Sequence, residues 1–486
     1  MFSRSLRRLV AMALCCAAAS FAQAPTSRLN PLVAKVAEGV SEERIAATMK
    51  KLEGFGTRYV MSQKDNPTHG IGAAQRWIFD ELKSYSPRLE VSYDDFTAKK
   101  SLRIPHDVDL SNIVAVLPGT INKDRYVIVS GHYDSIASRR APGQPQPTGD
   151  QPPPPLDPET PAPGVADDAS GVAAVMELAR VMSQYEFDKS VVFIAFSAEE
   201  TGLNGSTAYA QKAKARNMQI EAVLNNDIIG SEVAGNGRTA NNRLRVFAEG
   251  PEDSPARALA RYTKEIAERY LPSMTVDLVF RRDRFGRGGD HTPFVREGFA
   301  AVRLTTPSEN YANQHSATDT FANASAPYTT RVARMNGAVL ASLALAPKPP
   351  VVTRPPAPRR ASGDEAAPTD AAAPVARGTG RVPPLLTRGK SGYDAALHWL
   401  APDPEPDLAG YAVVIRATTS PVWEREIYVG NVTEYTIPDL SIDDIVIGVK
   451  AIDKDGNQSL VSAYEQAPFN PAAPPAGAPA RSGGDR

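Results

Sequence analysis

Cysteine is almost missing from this chain: Cys15 and Cys16 are the two among 486 residues, and both lie in the apolar stretch Leu9 to Ala19. That stretch follows Arg4, Arg7 and Arg8 and precedes Ala22-Gln23-Ala24, so residues 1–24 read as a secretory signal cleaved after Ala24. The cleaved chain has no cysteine, which excludes disulfides and thiolate metal ligands. The expected location is secreted or periplasmic, with stability coming from core burial and bound metal. Long apolar runs are also lacking. Leu9 to Ala19 is too short for a bilayer and no other segment is apolar enough, so no membrane span is expected. An excess of either charge is absent as well, with 54 basic against 55 acidic side chains. No basic stripe runs along the chain, and nucleic acid is not an expected partner.

Proline, by contrast, is plentiful and unevenly placed. Of its 42 copies, 20 cluster in residues 141–163 and 347–384. The second cluster reads as an extended linker, residues 346–388, between two folded domains. Residues 25–345 form the first domain, an α/β fold with a mixed central sheet and helices on both faces. Ile71 to Ser84 and Ser254 to Tyr270 carry apolar residues at helical spacing and cover the sheet, with Trp77 as a core residue. Residues 389–466 read as all-β, with short strands at Leu397-His398-Trp399, Gly410 to Arg416 and Ile445 to Asp453 separated by turn residues. This second domain looks like a fibronectin type III module, an immunoglobulin-like sandwich whose core holds Trp399, Tyr411, Trp423 and Leu440. Modules of this kind serve as spacers or attach enzymes to cell surfaces or polymers. Residues 467–486 read as a disordered tail.

The chemistry concentrates in the first domain. Ser190 to Phe196 reads as a buried strand and runs straight into Ser197-Ala198-Glu199-Glu200. Two adjacent carboxylates at the carboxyl end of a sheet strand sit where open α/β sheets bind ligands. Burying both costs several kcal/mol unless cations or donors compensate them. Other predicted elements end in the same way. Asp124 to Ser130 leads into Gly131-His132-Tyr133-Asp134-Ser135, Asp167-Asp168-Ala169-Ser170-Gly171 opens a helix, and Ile220 to Asn226 ends in Asp227. His315 follows late in the domain. Singly, each has an ordinary role as a loop acid, a loop histidine or a helix cap. Together they read as a metal site. Imidazole with carboxylate suits zinc, with cobalt or manganese as substitutes.

The motif order His-Tyr-Asp-Ser, Asp-Asp-Ala-Ser-Gly, Ala-Glu-Glu-x-Gly-Leu-x-Gly-Ser, Asn-Asp-Ile-Ile-Gly, Asp-His-x-Pro-Phe and His-x-x-x-Asp-Thr resembles the double-zinc exopeptidase family of bacterial leucyl aminopeptidases. That family also includes glutamate carboxypeptidases and glutaminyl cyclases. The resemblance runs from about Ser41 to about Leu345. It implies two Zn2+ ions bridged by Asp167, one completed by His132 and Asp227 and the other by Glu200 and His315. Glu199 is the implied general base. Asp134 is implied to bond a ligand imidazole and fix its tautomer. Asp168 is implied to follow a cis peptide. Asp290 and His291 are implied at the rim, either supporting the ligands from behind or contacting substrate, with His291 not counted as a ligand. Family members often carry a tyrosine before the last histidine, where this chain has Gln314. Tyr311 lies nearby, and the oxyanion donor stays open.

The leading expectation is a metallo-aminopeptidase acting on peptides. A carboxypeptidase or dipeptidase is the alternative, using arginines among Arg281, Arg282, Arg284, Arg287 and Arg303 to hold a carboxylate. A glutaminyl cyclase or a non-catalytic adhesion protein is the third reading, and the complete ligand set argues against it. Glu177, Tyr209 or a rim acid are candidates for holding an amine. The proline-rich segment 141–163, between His132 and Asp167, is either a looped-out insertion or a flap that limits access by larger peptides.

Overall fold

A computed structural model describes residues 29–138, 156–283, 288–353, 385–387, 389–390, 393–401 and 405–464. The signal segment, most of the proline-rich insertion, Arg284, Arg287, most of the linker and the tail lie outside the described residues.

Helices α1 (Pro31–Glu38), α2 (Glu42–Glu53) and α3 (Gly70–Tyr85) come first, then strands β1 (Glu90–Ala98), β2 (Val108–Leu117) and β3 (Asn122–His132). Helix and strand then alternate through α4 (Ser170–Met182), β4 (Lys189–Phe196), α5 (Asn204–Ala215) and β5 (Gln219–Asn226). The domain closes with β6 (Arg243–Phe247), α6 (Pro255–Tyr270), β7 (Thr275–Val279), α7 (His291–Arg296), β8 (Ala301–Thr305) and α8 (Ala326–Leu345). The strands form one sheet in the order β1-β2-β4-β3-β5-β8-β6-β7. The central strands β4, β3, β5 and β8 are parallel, and β2 and β6 flank them antiparallel.

Both faces of the sheet are covered, which is why β4 is buried along its whole length and reads as a continuous apolar run. Side chains alternate between two cores. Val127, Val129, Val191, Phe193, Ala222 and Leu224 share one core with α4, α6 and α8. Ile128, Val192, Ile194, Phe196 and Val223 face the other, with Ala210 and Ala213 of α5 and Phe294 of α7. Pro255 in the first turn of α6 and the Ser254 hydroxyl, which accepts the Arg257 amide, fix that helix start. Trp77 of α3 is half-buried and packs on Phe55.

The chain then forms β9 (Val351–Thr353), β10 (Ala395–Leu400), β11 (Leu408–Ala417), β12 (Arg425–Gly430), β13 (Glu434–Ile437), β14 (Ile445–Asp453) and β15 (Ser462–Ala463). They make two antiparallel sheets, β13-β10-β9 and β12-β11-β14-β15, around Trp399, Tyr411, Val413, Val449 and Ala451. Trp399 and Tyr411 meet edge to face at 5.5 Å. Leu440 packs partly buried on this core. Trp423 does not join it. Its ring is half-buried and lies beside the guanidinium groups of Arg261 and Arg416, at the junction with the first domain. Strand β9 falls inside the 346–388 stretch expected to be linker and pairs with β10.

Candidate metal centre

The sheet topology gathers the predicted ligands. Strands β4, β3 and β5 are neighbours and parallel, so their carboxyl ends lie side by side. His132 is the last residue of β3, Glu199 and Glu200 follow β4, and Asp227 follows β5. Asp167 comes from the turn before α4, the crossover that links β3 to β4. His315 comes from the loop between β8 and α8.

Two groups of metal-ligating side chains result, His132 with Asp167 and Asp227, and Asp167 with Glu200 and His315; within each, the donor atoms lie within 4.8 Å of one another. Asp167 belongs to both. Its Oδ1 lies 3.2 Å from His132 Nε2 and its Oδ2 lies 3.1 Å from His315 Nε2. Glu200 Oε1 is 3.0 Å from His315 Nε2. His132 Nε2 and Glu200 Oε1 are buried without a hydrogen-bond partner, and stranding a buried polar atom costs about 1–3 kcal/mol. Nitrogen and oxygen donors, buried except at the half-buried His315, in excess negative charge and with stranded lone pairs, fit a pair of divalent cations.

The metal-free electrostatics say the same. Burial opposes a charge on His132, but the carboxylates of Asp134 and Asp167 outweigh it and its pKa lies well above the ordinary imidazole value. Burial is likewise outweighed at His315, where Glu200 and Asp167 raise the pKa to about 11. Without a metal, protons on the imidazoles supply the missing positive charge.

Backbone amides hold the ligands in place. The His132 Nδ1–H donates to the carbonyl oxygen of Asp134 at 3.1 Å, so the neutral ring presents the Nε2 lone pair to the cluster. The Asp134 carboxylate is 3.7 Å from Nδ1. It accepts instead from the amides of Glu199 and Glu200, at 3.1 and 3.2 Å. Asp134 thus bonds the imidazole through its backbone carbonyl, while its side chain positions the Glu199-Glu200 pair.

Three further residues do similar work and had gone unassigned. Asp168 accepts from the amides of His132, Gly171 and Ile228, tying together β3, α4 and the turn after β5. An added Cβ at Gly171 would meet the Asp168 carboxylate at 2.2 Å, which accounts for the glycine. Asp319 accepts from the amides of Ala166 and Asp167 at 2.9 and 3.0 Å. Arg58, fully buried, donates to the carbonyls of Leu52, Tyr133, Pro163 and Gly164. The motif Asp-Asp-Ala-Ser-Gly and the Asp319 of the last motif carried a local signal. Arg58 carried none. The Asp167–Asp168 peptide bond is cis. Ala198, Ile228 and His315, each a ligand or within two residues of one, have positive φ, the left-handed backbone that clusters at functional sites.

The rim is acidic. Asp290 is fully buried with both carboxylate oxygens unpartnered, and burial first of all pushes its pKa up to about 7. His291 Nε2 faces Glu249 Oε1 at 3.5 Å. Among the described residues of the rim, three arginines are already engaged by carboxylates, and the Arg281 side chain bonds only the Arg282 carbonyl. Arg303 is held by Asp227 at 3.0 Å and Asp283 at 3.1 Å, Arg245 by Glu309, and Arg282 by Glu249. The Gln314 amide is turned to Glu309. Tyr311 is 40% exposed, in the loop before His315. Two amine-binding candidates lie elsewhere. Glu177 bonds Arg180 and the Ser41 amide between α4 and α2, and Tyr209 packs its ring on Phe196 and Phe294.

The family model described as Peptidase family M28 matches residues 112–340, a span that holds all of these ligands. Among curated proteins, a "Probable zinc metalloprotease" of Pyricularia oryzae is 35% identical, over 90% of this chain and 84% of its own length. Another "Probable zinc metalloprotease", from Pyrenophora tritici-repentis, is 32% identical over 90% of this chain and 86% of its own. Both alignments extend past residue 345 into the C-terminal sheets. A solved structure, the Legionella pneumophila LapA aminopeptidase, aligns over 65% of this chain and 75% of its own with a TM-score of 0.49 and 20% identity. That likeness is too distant to bear on substrate.

Proposed function

This chain belongs to peptidase family M28, and we propose that it is a zinc-dependent aminopeptidase that removes residues from the free amino end of peptides. We assign one ion to His132, Asp167 and Asp227, and a second to Asp167, Glu200 and His315. Zinc bound there acidifies water and polarises a carbonyl group.

The rest falls to the chain's own side chains. Glu199 is the carboxylate left over once the two groups are assigned, with Oε2 4.0 Å from His132 Nε2. It takes a proton from the attacking water and returns it to the leaving amine. Burial, followed by the charges of Asp227, Glu200 and Asp290, holds its pKa well above the ordinary carboxylate value in the metal-free chain. Positive charge in the two groups brings it back towards the range of a base at neutral pH. Asp134 keeps Glu199 and Glu200 apart and aimed by holding their amides. No side chain is assigned to the oxyanion.

The observation that carries the amine preference is the charge of the rim. Among the described residues, Arg245, Arg282 and Arg303 are each matched to a carboxylate, while Asp290 keeps both oxygens unpaired. Such a rim attracts an ammonium group and repels a carboxylate, which favours the aminopeptidase over the carboxypeptidase or dipeptidase reading. A one-metal glutaminyl cyclase is disfavoured by the second ligand group. We assign Asp290, His291 and Tyr311 to substrate contacts.

Hydrolysis of aminoacyl arylamides with free and blocked amines tests the reading. Turnover that requires the free amine and is lost in Glu199→Gln supports it, and turnover that requires a free carboxylate replaces it with a carboxypeptidase.

We further propose a secreted or periplasmic location, on the strength of residues 1–24. No described helix is long and apolar enough to cross a membrane. The strand orders β13-β10-β9 and β12-β11-β14-β15 favour a fibronectin type III-like identity for the C-terminal sandwich. Attachment to a surface or polymer stays a proposal to which no residue is assigned.

A further inference from the structure

The C-terminal sandwich does not hang from the first domain as a free module. Arg416 of β11 reaches across the junction, where its Nη2 lies 2.8 Å from Asp253 and 3.0 Å from Glu252. Arg261 of α6 grips the same two acids, and its Nε donates to the Pro421 carbonyl of the sandwich. The side chains of Arg416, Arg261 and Asp253 are 1%, 3% and 4% exposed. Both guanidinium groups lie within 6 Å of the Trp423 ring centroid, at 5.5 and 5.9 Å, in reach of its π face. Further along α6, Glu265 meets Lys450 of β14 at 3.5 Å. Asn30 donates to Asn457 at 3.1 Å, and Arg125 meets Glu405 at 3.2 Å. Arg261, Tyr262, Glu265 and Arg269 follow helical spacing. Of these, Arg261, Glu265 and Arg269 form a charged stripe on α6, while Leu259, Ala260, Thr263 and Ile266 are buried.

The acids that receive Arg416 belong to the segment between β6 and α6, which also carries Glu249. Glu249 faces His291 Nε2 at 3.5 Å, the Thr292 hydroxyl at 3.3 Å and Arg282 at 3.2 Å. His291 and Thr292 begin α7, and Asp290 and Gly289 come immediately before. Gly289 packs so close to Asp227 that an added Cβ would lie 2.8 Å from its Oδ2. A continuous set of contacts thus runs from Arg416 through residues 249–253 to the rim and to the side of one metal group.

We propose that the C-terminal sandwich is a fixed part of the peptidase, and that Arg416 is a positioning residue that sets residues 249–253 and through them the Asp290-His291 rim. Removing Arg416 leaves Asp253 with Arg261 alone and frees the segment to move, because a buried carboxylate that loses a cation seeks water. The kinetic part of this proposal rests on the peptidase reading, and the physical part does not.

The test uses the full chain with a specific protease site placed in residues 354–384, with Arg416 intact, as Arg416→Lys and as Arg416→Gln. After cleavage in 0.15 M salt, the two pieces of the Arg416 protein co-elute in gel filtration. Hydrogen exchange in the uncleaved Arg416→Gln protein is roughly ten-fold faster at residues 249–253 and 289–296 and unchanged in α4. Arg416→Lys is intermediate, since an ammonium keeps the charge but loses the fork. On peptide substrates Arg416→Gln raises KM several-fold with kcat little changed. Pieces that separate with Arg416 intact overturn the fixed docking. Exchange in Arg416→Gln that is equal to that with Arg416 intact, or faster everywhere, overturns the positioning role. If none of the three proteins turns over a peptide, the peptidase reading fails, and elution and exchange still decide this proposal.

Discussion

The metal centre and the domain junction are both buried networks of charge, and burial does not tell them apart: Asp167 is 5% exposed at the one and Asp253 4% at the other. Balance does. At the junction two acids face two guanidinium groups: both oxygens of Asp253 and Glu252 Oε1 are met by N–H groups of Arg261 and Arg416, and Arg416 Nε is the one atom of this set left without a partner. At the centre, the carboxylates of Asp167, Glu199, Glu200 and Asp227 crowd around His132 and His315, and His132 Nε2 and Glu200 Oε1 have no hydrogen-bond partner. A balanced network is closed and fastens two pieces of protein together. An unbalanced one is open to a cation.

Substitutions on the two sides should separate these roles. The largest effect is expected at Glu199, which belongs to neither metal group. Glu199→Gln lowers kcat by about 10²- to 10⁴-fold with bound metal and melting temperature unchanged, as steady-state kinetics, metal analysis and calorimetry would show. Next comes Asp167→Asn, which weakens both groups at once. Metal per chain falls, and the melting temperature stops rising with added zinc. At the junction the pattern inverts. Arg416→Ala costs about 2–4 kcal/mol in denaturant unfolding and leaves metal per chain unchanged. Asp134→Asn is a milder perturbation of the centre. An amide side chain cannot accept both Glu199 and Glu200 amides equally well, and activity drops about 10-fold or more.

The smallest effect is one of pH. The folded His315 pKa of the metal-free chain, about 11, stands above the ordinary 6.5, so its contribution to stability is complete below pH 6.5 and is lost as the pH rises through about 11. Melting of the chelated protein should therefore fall between neutral and alkaline pH. The metal-loaded protein, whose imidazoles carry no extra proton, should not follow it over that range.

Most of the ligands were legible in the sequence because they sit within a few residues of a strand or helix end, so the local pattern announces them. His132 ends β3 and Asp227 directly follows β5, while Asp167 lies three residues before α4 and Glu200 four after β4. What supports them was less legible, because it depends on contacts between distant segments. Arg58 holds carbonyls at Tyr133 and Gly164, and nothing near Arg58 marks it. Asp134 was readable as a partner of His132, but only geometry separates its carbonyl from its carboxylate. Trp423 shows the same limit in the sandwich. An aromatic residue among short strands reads as core, and the arginines that place it at a junction lie on α6 and β11. Strand β9 is three residues long and follows prolines, too short to carry an alternation. Glu177 reads in the sequence as a candidate for holding an amine, and only the fold shows it bonded to Arg180 and the Ser41 amide.

Native mass spectrometry of the purified full-length protein, counting zinc ions per chain, tests the central claim most directly. The account predicts two ions per chain, with both lost together or in close succession in Asp167→Asn. A single ion per chain at saturating zinc, or two ions that persist undiminished in Asp167→Asn, would contradict a centre built on a shared Asp167.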